Sequence, residues 1–208
     1  MSTPAAATIQ VHRPLSAEDA GRADFYALLA RLLHEAPDAR LLNTLALAPP
    51  LDEGTELSTA WSGLTAASAA FDAEAALEEF EQLFGGVGRA KVSVFAGFYS
   101  GESLADHPRV KVIADMSALG LSRQPAATEP EDHFAALFDV MRILVAGGAG
   151  REAAPVEEQR SFFTRHLARS LPGFLVALAG ADGANYYRRV AAFAKAFASI
   201  ERQSFELD

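Results

Sequence analysis

About one residue in five of this 208-residue chain is alanine, whereas valine, isoleucine and threonine are sparse. Alanine is the strongest helix former, and β-branched residues favour strands. Half of the residues (50%) are hydrophobic, so a chain of this length can bury a substantial core. The composition therefore predicts an all-α fold.

Apolar residues recur at helical spacing along most of the chain. The first such segment includes residues 25–32, and the last is a seam over residues 186–200. Residues that favour helix N-caps precede four of the segments. They are Ser16, Asp38, Thr55 and Asp72. Pro108 suits the first turn of a later helix. The pattern predicts a bundle of helices joined by short loops.

Residues 85–101, which we call the aromatic loop, read GGVGRAKVSVFAGFYSG and have no helical periodicity. The segment is rich in glycine and contains three aromatic residues, Phe95, Phe98 and Tyr99. A loop of this length inside a compact chain is often functional. A short extended segment that covers the core is an equally good interpretation, and the sequence leaves both open.

Loops and small-residue segments divide the chain into four parts. Residues 1–14 form a polar tail that we expect to be flexible, and residues 15–120 form an N-terminal helical part. Residues 121–128 predict a hinge linker, and residues 129–208 form a smaller C-terminal helical part. Because a hinge permits exchange of helices between copies, the sequence is consistent with a monomer or a domain-swapped dimer.

The formal net charge is −9, and the chain contains no cysteine. Nonspecific nucleic-acid binding depends on lysines and arginines that neutralise phosphates, so we expect no nucleic-acid partner. The acidic balance favours a partner that carries basic residues. The absence of cysteine excludes thiolate metal sites, iron–sulfur ligation, disulfides and a cysteine nucleophile.

No stretch of about 18 apolar residues predicts a transmembrane helix, and the N-terminus lacks the apolar core of a signal peptide. We therefore expect a cytoplasmic chain that does not insert into a membrane. The five histidines are scattered without metal-ligand spacing, so we expect neither a metal site nor a cofactor.

The motifs of the common enzyme classes are missing from the sequence. It contains no GxSxG, HExxH or P-loop pattern, and its GGVG segment follows a predicted helix rather than a strand. We therefore expect no enzymatic activity. A weak nucleotide hydrolase that uses the glycine-rich loop and Asp132 is the enzymatic alternative.

A charged segment, which we call the acidic corner, precedes an apolar helical segment. Its members are Glu129, Pro130, Glu131, Asp132 and His133. Thr128 and Glu131 have capping-box spacing, and proline is tolerated in a first turn, so the spacing predicts that the helix begins here. In one interpretation the carboxylates cap this helix while His133 hydrogen-bonds the preceding linker. In the other, the corner is a recognition site beside the aromatic loop.

The acidic corner resembles the E-P-x-D-H signature of the TorD/DmsD/NarJ family of redox-enzyme maturation chaperones. Residues 81–88, EQLFGGVG, are similar to the family's Y/F-x-x-L-F-x-G-P-G segment. Residues 162–172 resemble its F-F-x-x-H-L-x-P-W pattern, and Tyr186 with Tyr187 matches its closing helix. The resemblance covers about residues 20–205.

The chain departs from the family pattern at several positions. Val87 replaces the proline of G-P-G, residues 94–99 replace the family's P-P-W-E-S-V-Y stretch, and Ser170 stands where the family often has tryptophan. These changes leave the identity of the client enzyme open. The combination of GGVG with EPEDH looks most similar to TorD-like proteins associated with formate dehydrogenases.

The resemblance implies a TorD-like helical bundle and a function in molybdoenzyme assembly. Such a protein binds the apo-form of a molybdopterin oxidoreductase, of formate dehydrogenase or DMSO-reductase type, or its twin-arginine leader peptide. Binding delays export until the cofactor is inserted. The residues expected to bind the client or leader are Glu129, Pro130, Asp132, His133, Phe84, Arg89, Phe95, Phe98 and Tyr99.

Residue chemistry agrees with this implication. Carboxylates pair with arginine, and exposed-looking aromatic residues at 95, 98 and 99 could bind an apolar peptide helix. We therefore expect the aromatic loop and the Asp132–His133 pair to line one groove. The alternative outside catalysis is a helical scaffold or regulator that binds a folded protein without recognising a leader.

Overall fold

The structure is a computed structural model that describes residues 15–85, 90–101, 108–124, 129–148 and 150–207. Within these ranges the chain forms nine α-helices and no strand, which confirms the predicted all-α fold. The helices are α1 (Ala17–His34), α2 (Ala39–Ala46), α3 (Glu56–Ala70), α4 (Ala73–Phe84), α5 (Pro108–Ala118), α6 (Phe134–Ala146), α7 (Val156–Phe162), α8 (Leu171–Gly180) and α9 (Tyr186–Leu207). The predicted tail, residues 1–14, lies outside the described residues.

The first four helices begin directly after the predicted N-caps. In each, a side-chain oxygen accepts the backbone N–H three residues later, which satisfies one of the donors that a helix start leaves unpaired. The distances are 2.9 Å for Ser16, 2.7 Å for Asp38, 2.9 Å for Thr55 and 2.8 Å for Asp72. These starts were predictable because a cap and its helix are neighbours in sequence.

Helices from both halves of the chain share one hydrophobic core. The most extensive contact between helices joins α1 to α6, and α9 packs against both α3 and α8. The seam predicted on α9 is buried at Tyr186, Val190, Phe193 and Phe197, whereas Ile200 is 42% exposed. The division of the chain at residues 121–128 stays a prediction, and residues 125–128 lie outside the described part.

Two short irregular helical turns bring distant segments to the acidic corner. The sequence predicts one helix from Pro155 to about Ser170, but α7 ends at Phe162 and a π-helical turn follows over Phe163–Leu167. This turn directs His166 toward α5, where its Nε2 lies 2.7 Å from Asp115 Oδ2. The other turn is a 3-10 helix, Ala96–Phe98, in the aromatic loop. In the described part of the chain, no helix is both long enough and apolar enough to cross a membrane.

Candidate functional site

The aromatic loop and the acidic corner lie against each other through their backbones. The Ala96 N–H donates to the Asp132 carbonyl at 2.8 Å, and the Phe134 N–H donates to the Val94 carbonyl at 2.9 Å. Phe95 and His133 form an isolated antiparallel bridge. Unpaired backbone groups are costly to bury, so these bonds allow two non-helical segments to pack tightly. The structure therefore brings Phe95, Asp132 and His133 together, and their role in binding stays a prediction.

The predicted start of the sixth helix is wrong. Residues 129–132 form a turn closed by the His133 N–H donating to the Pro130 carbonyl at 3.0 Å, and α6 begins at Phe134. His133 is the N-cap, because its Nδ1 accepts the Ala135 N–H at 3.0 Å. The carboxylates of the corner therefore lie outside the helix and do not cap it. Thr128, the other half of the predicted capping box, lies outside the described residues.

The capping role requires His133 to be neutral. Nδ1 can accept a hydrogen bond only when it carries no proton. The residue is buried, and burial disfavours the imidazolium form, which lowers the pKa of His133 to about 4. The Phe95 ring contacts the imidazole edge to face, with 5.6 Å between ring centroids. His133 thus orients the corner and cannot supply a positive charge near neutral pH.

Asp132 is the carboxylate that the aromatic loop encloses. The residue is 9% exposed, and a Cβ added at Gly97 would lie 3.2 Å from Asp132 Oδ2. Only glycine lets the backbone approach this closely without displacing the carboxylate. Burial raises the pKa of Asp132, although hydrogen bonds from the backbone of Asp132 and Gly97 oppose this shift. The carboxylate borders a cleft of about 320 Å³ between the loop, α5 and the π-helical turn.

The two glutamates of the corner pair with basic groups of the same chain. Glu129 Oε1 lies 3.1 Å from His34 Nδ1. Glu131 Oε2 accepts from Arg109 Nε at 2.7 Å, and its other oxygen lies 3.4 Å from Arg123 Nε. Burial opposes ionisation of Glu131, but these arginines hold the pKa of its carboxyl below the usual range. A basic ligand that reached Glu131 would have to compete with Arg109.

The three aromatic residues of the loop differ in exposure. Phe98 is 73% exposed and Phe95 is 38% exposed. Tyr99, which we expected to be exposed, packs its ring against Phe134 and Phe174 instead. Its hydroxyl also donates to the Ser93 carbonyl at 2.9 Å. Tyr99 therefore anchors the loop on the core, while Phe98 and part of Phe95 face outward.

One of the expected binding residues, Phe84, is not part of this arrangement. Phe84, at the end of α4, packs against Phe80 and Tyr187, each at 5.1 Å between ring centroids. The Phe84 ring therefore lies at the contact of α4 with α9. Arg89 lies outside the described residues, so its role stays a prediction.

The structure adds a cluster and a second cleft that the sequence reasoning missed. Asp115 on α5 bridges Arg165 and His166, at 2.9 and 2.7 Å. The second cleft, of about 670 Å³, lies between α1, α6 and the segment after α5, with Ala30, Met116 and Val140 among its lining residues. No local signal predicts either feature, because their residues come from distant helices. The motif that contains His166 is the one sequence signal that pointed to this region.

Within the described residues, no three histidine, aspartate or glutamate side chains are grouped so that they could hold a metal ion. The charged side chains of the site are instead organised as pairs and hydrogen bonds within the chain. The arrangement offers a buried carboxylate, an exposed phenylalanine and two adjacent clefts, which together suit peptide binding.

Comparison with known proteins gives one family match. Residues 51–176, more than half of the chain, match the sequence model of the family described as the nitrate reductase delta subunit. This range includes the aromatic loop, α5 and the acidic corner. No curated protein matches the chain.

Proposed function

Because the chain belongs to the nitrate reductase delta subunit family, whose members are chaperones of redox-enzyme maturation, we propose that it binds the apo-form of a molybdopterin oxidoreductase through the twin-arginine leader. In this proposal the chaperone acts in the cytoplasm and holds its client for cofactor insertion before export or assembly. Chaperones of this family are not enzymes, so the weak nucleotide hydrolase considered above does not describe the chain.

The observation that carries the proposal is the position of exposed Phe98 one residue from Gly97, which lies against the Asp132 carboxylate. Phe98 is 73% exposed, and Phe95, whose carbonyl accepts the Phe98 N–H, is 38% exposed, so one turn of the loop presents two phenylalanines beside the carboxylate. A twin-arginine leader combines the two complementary properties, because its arginines pair with carboxylates and its apolar helix packs on aromatic rings. Covering Phe98 would contribute about 1–3 kcal/mol to binding.

Charge supports the same partner. The chain has a formal net charge of −9, and opposite charges accelerate the encounter of two partners. The resemblance of GGVG and EPEDH to chaperones of formate dehydrogenases makes a client of formate dehydrogenase or DMSO-reductase type the first choice. The chaperone would engage this client as a monomer or as a domain-swapped dimer.

Titration calorimetry against leader peptides of the host's molybdoenzymes tests the proposal. We expect saturable binding to one leader and weaker binding when its two arginines are replaced by lysines, because lysine cannot form the bidentate pair. Saturable binding would also name the client. If no leader binds, leader recognition is wrong, and the chaperone recognises the folded body of its client.

Variants of the site sharpen this test. We expect Phe98→Ala and Asp132→Asn each to weaken leader binding about tenfold, which corresponds to about 1.4 kcal/mol. Leu47→Ala is the control for Phe98, since Leu47 is 76% exposed at the end of α2. Asp24→Asn is the control for Asp132, since Asp24 is an exposed carboxylate on α1. Equal effects of the site variants and their controls would contradict the assignment of the site.

A further inference from the structure

Helix α5 is weakly packed against the rest of the protein. Of its 11 residues, only Val112 and Met116 are buried, whereas eight of the 13 residues of α6 are buried. Two apolar side chains of α5, Val110 and Ile113, are 58% and 41% exposed. A helix in a globular protein gains most of its stability from its buried face, so α5 depends on few apolar contacts.

Both clefts near the acidic corner border α5. The smaller cleft is lined by Lys111, Val112 and Asp115 from α5, together with Asp132. The larger cleft is lined by Met116 and by Leu121, which follows the helix, together with residues of α1 and α6. If α5 moved away, each cleft would lose one wall and expose more apolar surface beside the corner.

Polar contacts hold α5 in this position. Arg109 pairs with Glu131 of the corner at 2.7 Å, and Asp115 pairs with Arg165 at 2.9 Å. The side chains of Arg109 and Arg165 are 49% and 58% exposed. Their acidic partners are less exposed, with Glu131 at 13% and Asp115 at 19%, and Asp115 also contacts His166 at 2.7 Å. Because one side of each arginine pair faces solvent, salt weakens these pairs. These contacts can therefore be exchanged for equivalent contacts from another chain.

The sequence of α5 has the same order of properties as the proposed ligand. Basic residues at its start, Arg109 and Lys111, precede a mostly apolar stretch up to Leu121. A twin-arginine leader likewise has arginines followed by an apolar helix. Arg109 already binds a carboxylate of the corner, as a leader arginine would. The helix and the leader therefore present matching groups to the same surface.

We propose that α5 is an intramolecular mimic of the leader. In this proposal α5 covers the peptide-binding surface until the leader of a client displaces the helix. The inference rests on the proposed function, because it takes a basic and apolar leader as the ligand. A leader arginine would replace Arg109 at Glu131, and the apolar helix would occupy the surface now covered by Val112 and Met116. Because α5 competes for this surface, the protein binds a leader more weakly than it would if α5 did not cover the surface.

A reversible crosslink tests whether α5 must move. A Cβ built at Gly97 lies 3.5 Å from the Cβ of Pro108, which is within the range of disulfides. The chain has no other cysteine, so Gly97→Cys with Pro108→Cys can form only this disulfide within one chain. We expect oxidation to weaken leader binding at least tenfold and reduction to restore it. Equal affinity of the oxidised and reduced forms would overturn the proposal.

The reduced double variant is the matched control, since it contains the same side chains without the crosslink. The two single-cysteine variants, treated with the same oxidant, report any effect of oxidation itself. Thermal unfolding of the oxidised and reduced forms verifies that both are folded.

A second variant, which we call the release variant, weakens the attachment of α5 instead of fixing it and leaves the aromatic loop unchanged. Arg109→Gln with Asp115→Asn removes the pair of Arg109 with Glu131 and weakens both contacts of Asp115, with Arg165 and His166. We expect it to raise leader affinity at least threefold. The control pair is Arg40→Gln with Asp24→Asn, which changes exposed charges of α2 and α1. A lower affinity of the release variant would mean that α5 is part of the binding surface, and the proposal would be wrong.

A synthetic peptide of residues 108–121 separates this proposal from the proposed function. We expect this peptide to bind the release variant more tightly than the wild type. If leaders bind wild type but the crosslink, the release variant and this peptide have no effect, leader recognition stands and the mimicry by α5 fails. If this peptide binds but no leader binds any variant, leader recognition fails while the competition for the surface is supported.

Discussion

The carboxylate of Glu79 on α4 accepts the backbone N–H of Tyr187 at 2.8 Å, across 108 positions of sequence. The same carboxylate accepts the N–H groups of Asn185 at 2.9 Å and Tyr186 at 3.1 Å. It therefore satisfies three donors at the start of α9, the longest helix of the described chain. Glu79 is 6% exposed, and its negative charge also matches the positive end of the helix dipole.

Replacing Glu79 by alanine should destabilise the protein strongly. The Glu79→Ala variant leaves three buried or partly buried N–H groups without their partner, and we expect a loss of about 2–4 kcal/mol in the free energy of unfolding. Denaturant unfolding measures the loss. Glu81→Ala is the control, since Glu81 is exposed on the same helix, and it should change stability by less than about 0.5 kcal/mol. Similar losses in both variants would contradict the capping role.

The cap formed by His133 should make stability depend on pH. The pKa of His133 is about 4 in the folded chain and near the ordinary 6.5 when unfolded. Between these values the unfolded chain binds more protons, so stability rises with pH. The stabilisation by neutral His133 is complete above about pH 6.5 and is lost as the pH falls toward 4.

The His133→Asn variant isolates this effect, because asparagine is a good N-cap without a titratable group. We expect the free energy of unfolding of the wild type, relative to the variant, to fall between pH 7 and pH 4.5. Urea unfolding at the two pH values measures the difference. A constant difference would show that folding does not lower the pKa of His133.

Two glycines should respond to alanine with opposite signs. Gly147 has φ of +71°, and an added Cβ would lie 2.5 Å from the Arg151 carbonyl oxygen, so Gly147→Ala should cost more than about 2 kcal/mol. Gly21 lies inside α1 with nothing within 4 Å of an added Cβ. Gly21→Ala should therefore stabilise the protein by about 0.5–1 kcal/mol. Melting temperatures measured in parallel test both predictions, and a shift of the same sign would refute one of them.

A buried ion pair joins α1 to α9. Glu201 is 1% exposed and accepts from Arg22 Nε at 2.7 Å, from Arg22 Nη2 at 2.9 Å and from the Tyr26 hydroxyl at 2.7 Å. Glu201→Ala should cost about 3–5 kcal/mol. It leaves the Tyr26 hydroxyl without its acceptor, and it leaves the partly buried charge of Arg22 with only Asp19, which is 39% exposed, as an ion-pair partner. Tyr26→Phe removes one neutral donor and should cost about 1 kcal/mol. Denaturant unfolding of the two variants should preserve this order.

The helices were predictable where their signals are local. Ser16, Asp38, Thr55 and Asp72 each cap the helix that follows within three residues, and the four predicted starts are confirmed. The start of α6 was mispredicted because a distant segment decides it. The backbone of Val94 and Ala96 pairs with Phe134 and Asp132, which draws residues 129–132 out of the helix and leaves His133 as the cap.

In the candidate site, too, the sequence predicts local features but not contacts between distant residues. The motif identified Asp132 and His133, since their residue types and order are visible in the chain. The partial burial of Tyr99 and the outward position of Phe98 depend on which of the two rings packs against the core. The pairing of Arg109 with Glu131 depends on where α5 docks. None of these contacts leaves a pattern in the sequence.

The all-α fold, most helix starts and the chaperone family follow from the order of residues, because helix propensity, caps and motifs are properties of neighbouring positions. The capping of α9 by Glu79, the role of His133 and the cover formed by α5 were decided by packing. They require groups that lie far apart in the chain to meet at hydrogen-bond distance, and only the folded backbone sets those distances.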